Sequence, residues 1–254
     1  MSEKNLLEIR NLDISFGGVH AVNHLSFDVV EGECLGLIGP NGSGKSTCVN
    51  IISGLYKPDG GEILFQGENV LKLTPMDRAF KGIGRTFQSP KAFEGLNVLD
   101  SIYTASLLHN KHKSDAQRKT DEILSFTGLE PLAMTLCSRL PIEKRKWLDM
   151  ARVLAINPKL IMLDECLAGL NPSEMEESIS LVRKINRSGV TVLFIEHVMR
   201  AVASLCSRVV VLDEGKLLSQ GPPNVIMNEE NVIAAYLGEG YKNVIKAREH
   251  RSGL

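Results

Sequence analysis

The chain opens with two stretches, residues 6–16 and 20–30, in which apolar and polar positions alternate and branched side chains predominate. Period-two alternation predicts half-buried β-strands. Residues 33–38 are apolar almost throughout and predict a strand covered on both faces. A helix is predicted over 45–53. A short strand over 62–65 follows the turn residues Gly54, Pro58, Gly60 and Gly61 and closes at Gln66-Gly67. Between residues 90 and 152 the branched runs disappear. The pattern there predicts mainly helices, with a solvated charged stretch over 111–122. Alternation of strand and helix then returns: strands over 159–164 and 190–196, helices over 172–186 and 197–206, and two further strands over 208–213 and 216–220. Parallel strands with crossover helices, interrupted by a helical insertion, predict an α/β nucleotide-binding core with a helical subdomain. The tail from Tyr241 onward is polar and mildly basic, which predicts a loosely held end.

Composition narrows the possibilities without naming a function. Of 254 residues 43% are hydrophobic and 23% charged, enough for a sizeable core. The net charge of −1 gives no reason to expect nucleic acid as a main partner. Cys34, Cys48, Cys137, Cys166 and Cys206 are scattered with no C-x-x-C pair, which predicts buried free thiols in a reducing compartment. No apolar stretch approaches membrane-spanning length and the N-terminus carries no signal-peptide pattern, so the expected location is cytoplasmic, or on the cytoplasmic side of something else.

Three constellations carry chemistry. Gly39-Pro40-Asn41-Gly42-Ser43-Gly44-Lys45-Ser46 fits the phosphate-binding P-loop, between a predicted strand and a predicted helix. Its glycines let backbone N–H groups approach phosphate oxygens, Lys45 can reach the terminal phosphates, and the Ser46 hydroxyl is placed to ligate Mg²⁺. The following helix turns its positive end toward them. A second strand, Ile161-Met162-Leu163, ends in Asp164-Glu165. In P-loop proteins the first acid holds Mg²⁺ and the next can polarise the attacking water; acids are also common simply because a loop follows a strand. A third strand end, Glu196-His197, offers a histidine to contact a γ-phosphate and orient water, and Gln88 a side chain to touch Mg²⁺ or water.

With these residues in hand, the chain resembles an ATP-binding-cassette ATPase over about residues 6–238. The resemblance implies an α/β P-loop NTPase of ABC ATPase type: a mixed sheet core, an N-terminal antiparallel β subdomain and an inserted helical subdomain at about 89–157, with a polar tail at 239–254. Gly39 to Thr47 matches the family's phosphate loop, Gln88 its Q-loop glutamine and His197 its switch histidine. Phe16 matches the aromatic that stacks on adenine. The implied cofactors are ATP and Mg²⁺, the latter held by Ser46, Gln88 and Asp164, with Glu165, His197, Gln88 and Lys45 as catalytic residues. The implied partners are a second cassette, membrane permease subunits docked near residues 89–95 and, indirectly, a substrate-binding protein, with the chain peripheral on the inner face of the membrane. The runs Ser15-Phe16-Gly17-Gly18-Val19-His20-Ala21-Val22, Ala168-Gly169-Leu170-Asn171-Pro172 and Ala234-Ala235-Tyr236-Leu237-Gly238 are similar to the ATPases of branched-chain amino-acid importers, and exporters of lipid or lipopolysaccharide share some of them.

Two departures stand out. The family's L-S-G-G-Q signature, which caps the nucleotide of the partner cassette, aligns with Leu140-Pro141-Ile142-Glu143-Lys144. Pro141 removes a hydroxyl, Ile142 fills space, and Glu143 adds charge of the wrong sign, a repulsion on the order of 3 kcal/mol at about 5 Å. Lys144, Arg145 and Lys146 could offset it if they point inward. A heterodimer with a cassette carrying an intact signature is thereby favoured, a homodimer remaining open. Cys166 replaces the usual proline after the glutamate, which should loosen that loop slightly. A P-loop kinase and a low-turnover nucleotide-gated module are the competing readings.

Overall fold

The computed structural model describes residues 4–88, 93–110 and 112–237. Along the chain run β1 (Asn5–Phe16), β2 (Val19–Val30), β3 (Cys34–Ile38), α1 (Lys45–Ile52), β4 (Gly60–Phe65), β5 (Glu68–Asn69), α2 (Pro75–Lys81) and β6 (Ile83–Arg85). Then come α3 (Val98–Ser106), α4 (Lys113–Thr127), α5 (Ile142–Ala155), β7 (Leu160–Asp164), α6 (Pro172–Arg187) and β8 (Thr191–Ile195). The chain ends in α7 (Met199–Leu205), β9 (Arg208–Asp213), β10 (Lys216–Gly221), α8 (Pro223–Ile226) and α9 (Glu230–Leu237). The tail expected at 239–254, and the first residues of the insertion and docking segment expected from 89, lie outside the described residues.

Two compact units can be distinguished, Leu73–Leu193 and the segments on either side of it. In the flanking unit, β2, β1, β4 and β5 form an antiparallel sheet. The β1–β2 hairpin turns on Gly17 and Gly18, at φ +54 and +85, the two left-handed positions that a tight hairpin requires. A second, mixed sheet places β3 parallel to β9 and β10 antiparallel to β9. All five residues of β3 are buried, as its uninterrupted apolar sequence requires.

The other unit pairs β6 parallel to β7, with Ile83, Gly84 and Arg85 opposite Leu160, Ile161 and Met162. This strand lies ahead of the helical insertion expected from about residue 89, and the sequence pattern did not predict it. Gly84 is needed because a Cβ there would lie 2.3 Å from Val153 Cγ1 on α5, so β6 packs hard against that helix. The charged stretch around residues 111–122 forms most of α4, whose Ala116, Thr120, Ile123, Leu124 and Thr127 are buried while the charges face out. Helix α6 starts from a capping box between Asn171 and Glu174 with Pro172 in its first turn. It is joined to α5 by Trp147 Nε1, which donates to Ser178 Oγ at 2.9 Å. Thr191 at the start of β8 donates to Lys159 O at 3.0 Å, and β8 carries the chain back to the flanking unit. Helix α7 begins two residues later than the pattern suggests, at Met199, so His197 lies in the link between β8 and α7.

Candidate functional site

In the flanking unit, β3 delivers the chain to a loop whose shape only glycine allows. Gly39 has φ +150, and a Cβ there would fall 2.2 Å from Leu212 O and 2.6 Å from Ser43 Oγ. Gly44 caps α1 at φ +99, with a notional Cβ 2.4 Å from Ala21 O. Gly42, at φ +80, faces open space and is needed for its backbone conformation alone. The loop is braced from behind by the β9–β10 turn, where Gly215 N donates to Ser43 O at 3.1 Å. Lys45 is buried, and its ammonium donates to Gly39 O at 2.8 Å, Pro40 O at 2.9 Å and Ser43 Oγ at 3.3 Å. A cation is thus held by the loop's own carbonyls at the start of a helix, the arrangement suited to a polyanion. Asn41 and Ser46 are exposed and Thr47 is half-buried on the first turn of α1. Inside that helix Cys48 is fully buried, and burial pushes its thiol up to about 12, so it stays protonated.

Phe16 stands 47% exposed at the end of β1, its ring edge-on to Tyr56 at 5.5 Å between centroids. Tyr56 is a neighbour that sequence reasoning missed. It also missed Tyr236 of α9, 39% exposed. Burial raises the pKa of its phenol, and the nearby Gly39 backbone opposes the rise. Beside it, Ile38, Met199, Met227, Val232 and Ile233 line an apolar cavity. His197 is exposed after β8 and follows the buried Glu196, whose Oε2 accepts from the His197 N–H at 3.3 Å.

The other unit brings Gln88, Asp164 and Glu165 together. Asp164 ends β7 buried, and its Oδ2 accepts from Arg85 Nη2 at 3.0 Å. Thr86 locks the same strand end, donating from N to Met162 O at 2.9 Å and accepting from Asp164 N at 3.3 Å. Gln88 follows β6 and donates from Nε2 to Glu165 Oε2 at 2.6 Å. Glu165 itself adopts φ +50, a left-handed conformation uncommon for a residue with a side chain. Arg85 has no signature in the sequence. Its role emerges once β6 is seen to pair with β7.

Helix α5 begins at the degenerate signature. Pro141 is its N-cap, Ile142 is 44% exposed, and Glu143 is buried. Of the three basic residues that follow, Lys144 faces Glu143, 3.1 Å from Oε2, with its ammonium over the Trp147 ring at 3.4 Å. Arg145 instead binds Leu140 O at 2.8 Å and Ser138 O at 2.6 Å. Lys146 turns toward the loop after β7, a placement the sequence did not suggest.

The donors are compatible with the implied cofactors. Gly39 and Gly44 leave a cradle that any side chain would fill, which suits close approach of a triphosphate. Ser46, Gln88 and Asp164 offer oxygen atoms only, the chemistry Mg²⁺ selects. Among the described residues no three His, Cys, Asp or Glu side chains form a metal-holding cluster.

A family model described as ABC transporter matches residues 22–168. The chain is 34% identical over 250 residues to BraF of Pseudomonas aeruginosa, a high-affinity branched-chain amino acid transport ATP-binding protein, covering 92% of this chain and 98% of that one. It is 33% identical over 240 residues to LptB of Haemophilus influenzae, a lipopolysaccharide export system ATP-binding protein, covering 94% and 99%. A solved nucleotide-free ATP-binding cassette from an ABC transporter superposes with a TM-score of 0.84 at 26% identity, covering 93% of this chain and 100% of that one.

Proposed function

This chain belongs to the ABC transporter family as an ATP-hydrolysing subunit, and from that premise we propose that it powers import of branched-chain, hydrophobic amino acids. The observation that carries the choice of cargo is the likeness to BraF along nearly the whole of both chains. Residues 6–238 act as the cassette, with a helical subdomain at about 89–157, and the protein works at the inner face of the membrane. Among the described residues no helix is long and apolar enough to cross a membrane, so the path for cargo belongs to permease subunits. They dock near residues 89–95 and receive cargo from a substrate-binding protein.

Catalysis here is positioning and charge stabilisation. Lys45 and the amides of residues 39–47 take the phosphates and Phe16 stacks on the adenine. Ser46, Asp164 and Gln88 would hold Mg²⁺, which when bound would neutralise phosphate charge. Glu165 polarises the attacking water, while Gln88 and His197 orient it. The altered start of α5 favours a heterodimer, in which a second cassette with an intact signature caps the ATP bound to this chain.

The test is reconstitution. The chain, recovered from its native membrane with the subunits that travel with it, is placed in proteoliposomes and supplied with ATP and radiolabelled leucine. ATP-dependent leucine uptake is expected. ATP turnover that moves lipopolysaccharide or lipid instead would replace import by the export reading that the likeness to LptB supports. Nucleotide binding without turnover in any assembly would leave a gated interaction module.

A further inference from the structure

Lys146 lies on α5, one turn beyond its start, and only 6% of the residue is exposed. A buried ammonium is costly to desolvate unless oxygen atoms surround it. Its Nζ donates to two main-chain carbonyls, Glu165 O at 3.0 Å and Ala168 O at 2.6 Å. These carbonyls bracket the turn that leaves β7, closed also by Ala168 N donating to Glu165 O at 3.2 Å. The turn needs holding, because Glu165 sits at φ +50, where a side chain crowds its own backbone. Cys166 follows it, and a cysteine leaves free the φ angle that a proline would have fixed.

We propose that Lys146 is a positioning residue for hydrolysis: its ammonium pins the Glu165–Ala168 turn and keeps the Glu165 carboxylate in register with Gln88. The inference rests on the role given above to Glu165. Charge-assisted bonds to two carbonyls replace the stiffness that a ring in the backbone would supply. They also fasten that turn to the helix that begins at Pro141, so a displacement of α5 reaches Glu165 through one side chain.

The experiment uses the full-length chain in the ATP-hydrolysing assembly recovered with its partner subunits. Lys146→Met keeps the stem and removes the ammonium, and Lys146→Arg restores a donor. The expected result for Lys146→Met is a kcat lowered about 10–100-fold, the scale of a small misplacement of a reacting group, with KM and the ATP Kd within about twofold of wild type. Lys146→Arg should recover much of the loss. In a Glu165→Gln background the Lys146→Met change should add little further loss, because both act on the same step. Unchanged kcat in Lys146→Met overturns the proposal, as does a kcat loss matched by an equal weakening of ATP binding, or full additivity with Glu165→Gln. Should Lys146→Met fail to fold, Lys146→Gln is read by the same criteria. Wild-type turnover that survives Glu165→Gln would instead remove the role of Glu165 itself.

Discussion

Gln88 donates from Nε2 to Glu165 Oε2 at 2.6 Å, so the carboxylate proposed to polarise water is already oriented by an amide from the segment that leaves β6. The Glu165→Gln variant keeps the shape and loses the base. It is expected to bind ATP nearly as wild type while kcat falls by about 10²–10⁴-fold, the range of general-base contributions. Gln88→Ala should lower kcat by a smaller factor, since it frees the carboxylate without removing it. Steady-state ATPase assays paired with equilibrium nucleotide binding measure both. Wild-type turnover in Glu165→Gln would take that residue out of the reaction.

The phosphate loop makes a sharper distinction between two of its glycines. A methyl group on Gly39 would collide with Leu212 O and Ser43 Oγ, both within 2.6 Å, whereas one on Gly42 meets nothing within 4 Å. Gly39→Ala must therefore displace backbone, and is expected to abolish ATP binding or prevent folding. Gly42→Ala pays only for its left-handed conformation at φ +80, about 1–2 kcal/mol. It should fold with a lowered unfolding midpoint and retain measurable affinity. Fluorescent-nucleotide titration and thermal melting of the two variants check the contrast, and equal behaviour would contradict it.

Arg85 and Asp164 form an ion pair at 3.0 Å with side chains 10% and 6% exposed. Removing the cation leaves a buried carboxylate without its counter-charge, which costs about 3–5 kcal/mol. Arg85→Ala should accordingly lose stability on that scale in urea unfolding. The double variant Arg85→Ala/Asp164→Asn should regain part of it, because the second change removes the stranded charge. Two single losses that simply add would show that the pair is not coupled.

What could be read from the chain alone follows from where physics restricts residue choice. β3 and β7 are legible because strands buried throughout must be apolar at every position, and the phosphate loop because left-handed, crowded backbone positions admit only glycine. β6 was not legible: three residues including a glycine carry no period, and its strand character comes from pairing with β7 and the close approach of Val153. The bonds from Lys146 to Glu165 and from Arg85 to Asp164 were equally hidden. Each joins common residue types far apart in sequence, and nothing local distinguishes a lysine that reaches a carbonyl from one that meets water. The altered signature was visible, but the direction of its three basic side chains was not.

The start of α5 lends itself to a restoration experiment. Glu143 is buried, its Oε2 paired with Lys144 and its Oε1 without a hydrogen-bond partner among the described residues, so its removal strands little. Ile142 is exposed at the position that aligns with a glycine of the family's signature. Replacing the segment by Pro141→Ser, Ile142→Gly, Glu143→Gly and Lys144→Gln removes the carboxylate from a helix N-terminus and restores backbone and hydroxyl donors there. Two glycines in the first turn cost up to about 2 kcal/mol of helix propensity, so a modest fall in melting temperature is expected. If the native segment disables the composite site it completes, the fourfold variant should raise the ATPase rate of this chain purified alone. The wild type alone should be slow and respond to a second cassette with an intact signature. A wild-type homodimer as fast as the restored variant would mean that Leu140 to Lys144 supports hydrolysis as it stands, and would remove the reason for preferring a heterodimer.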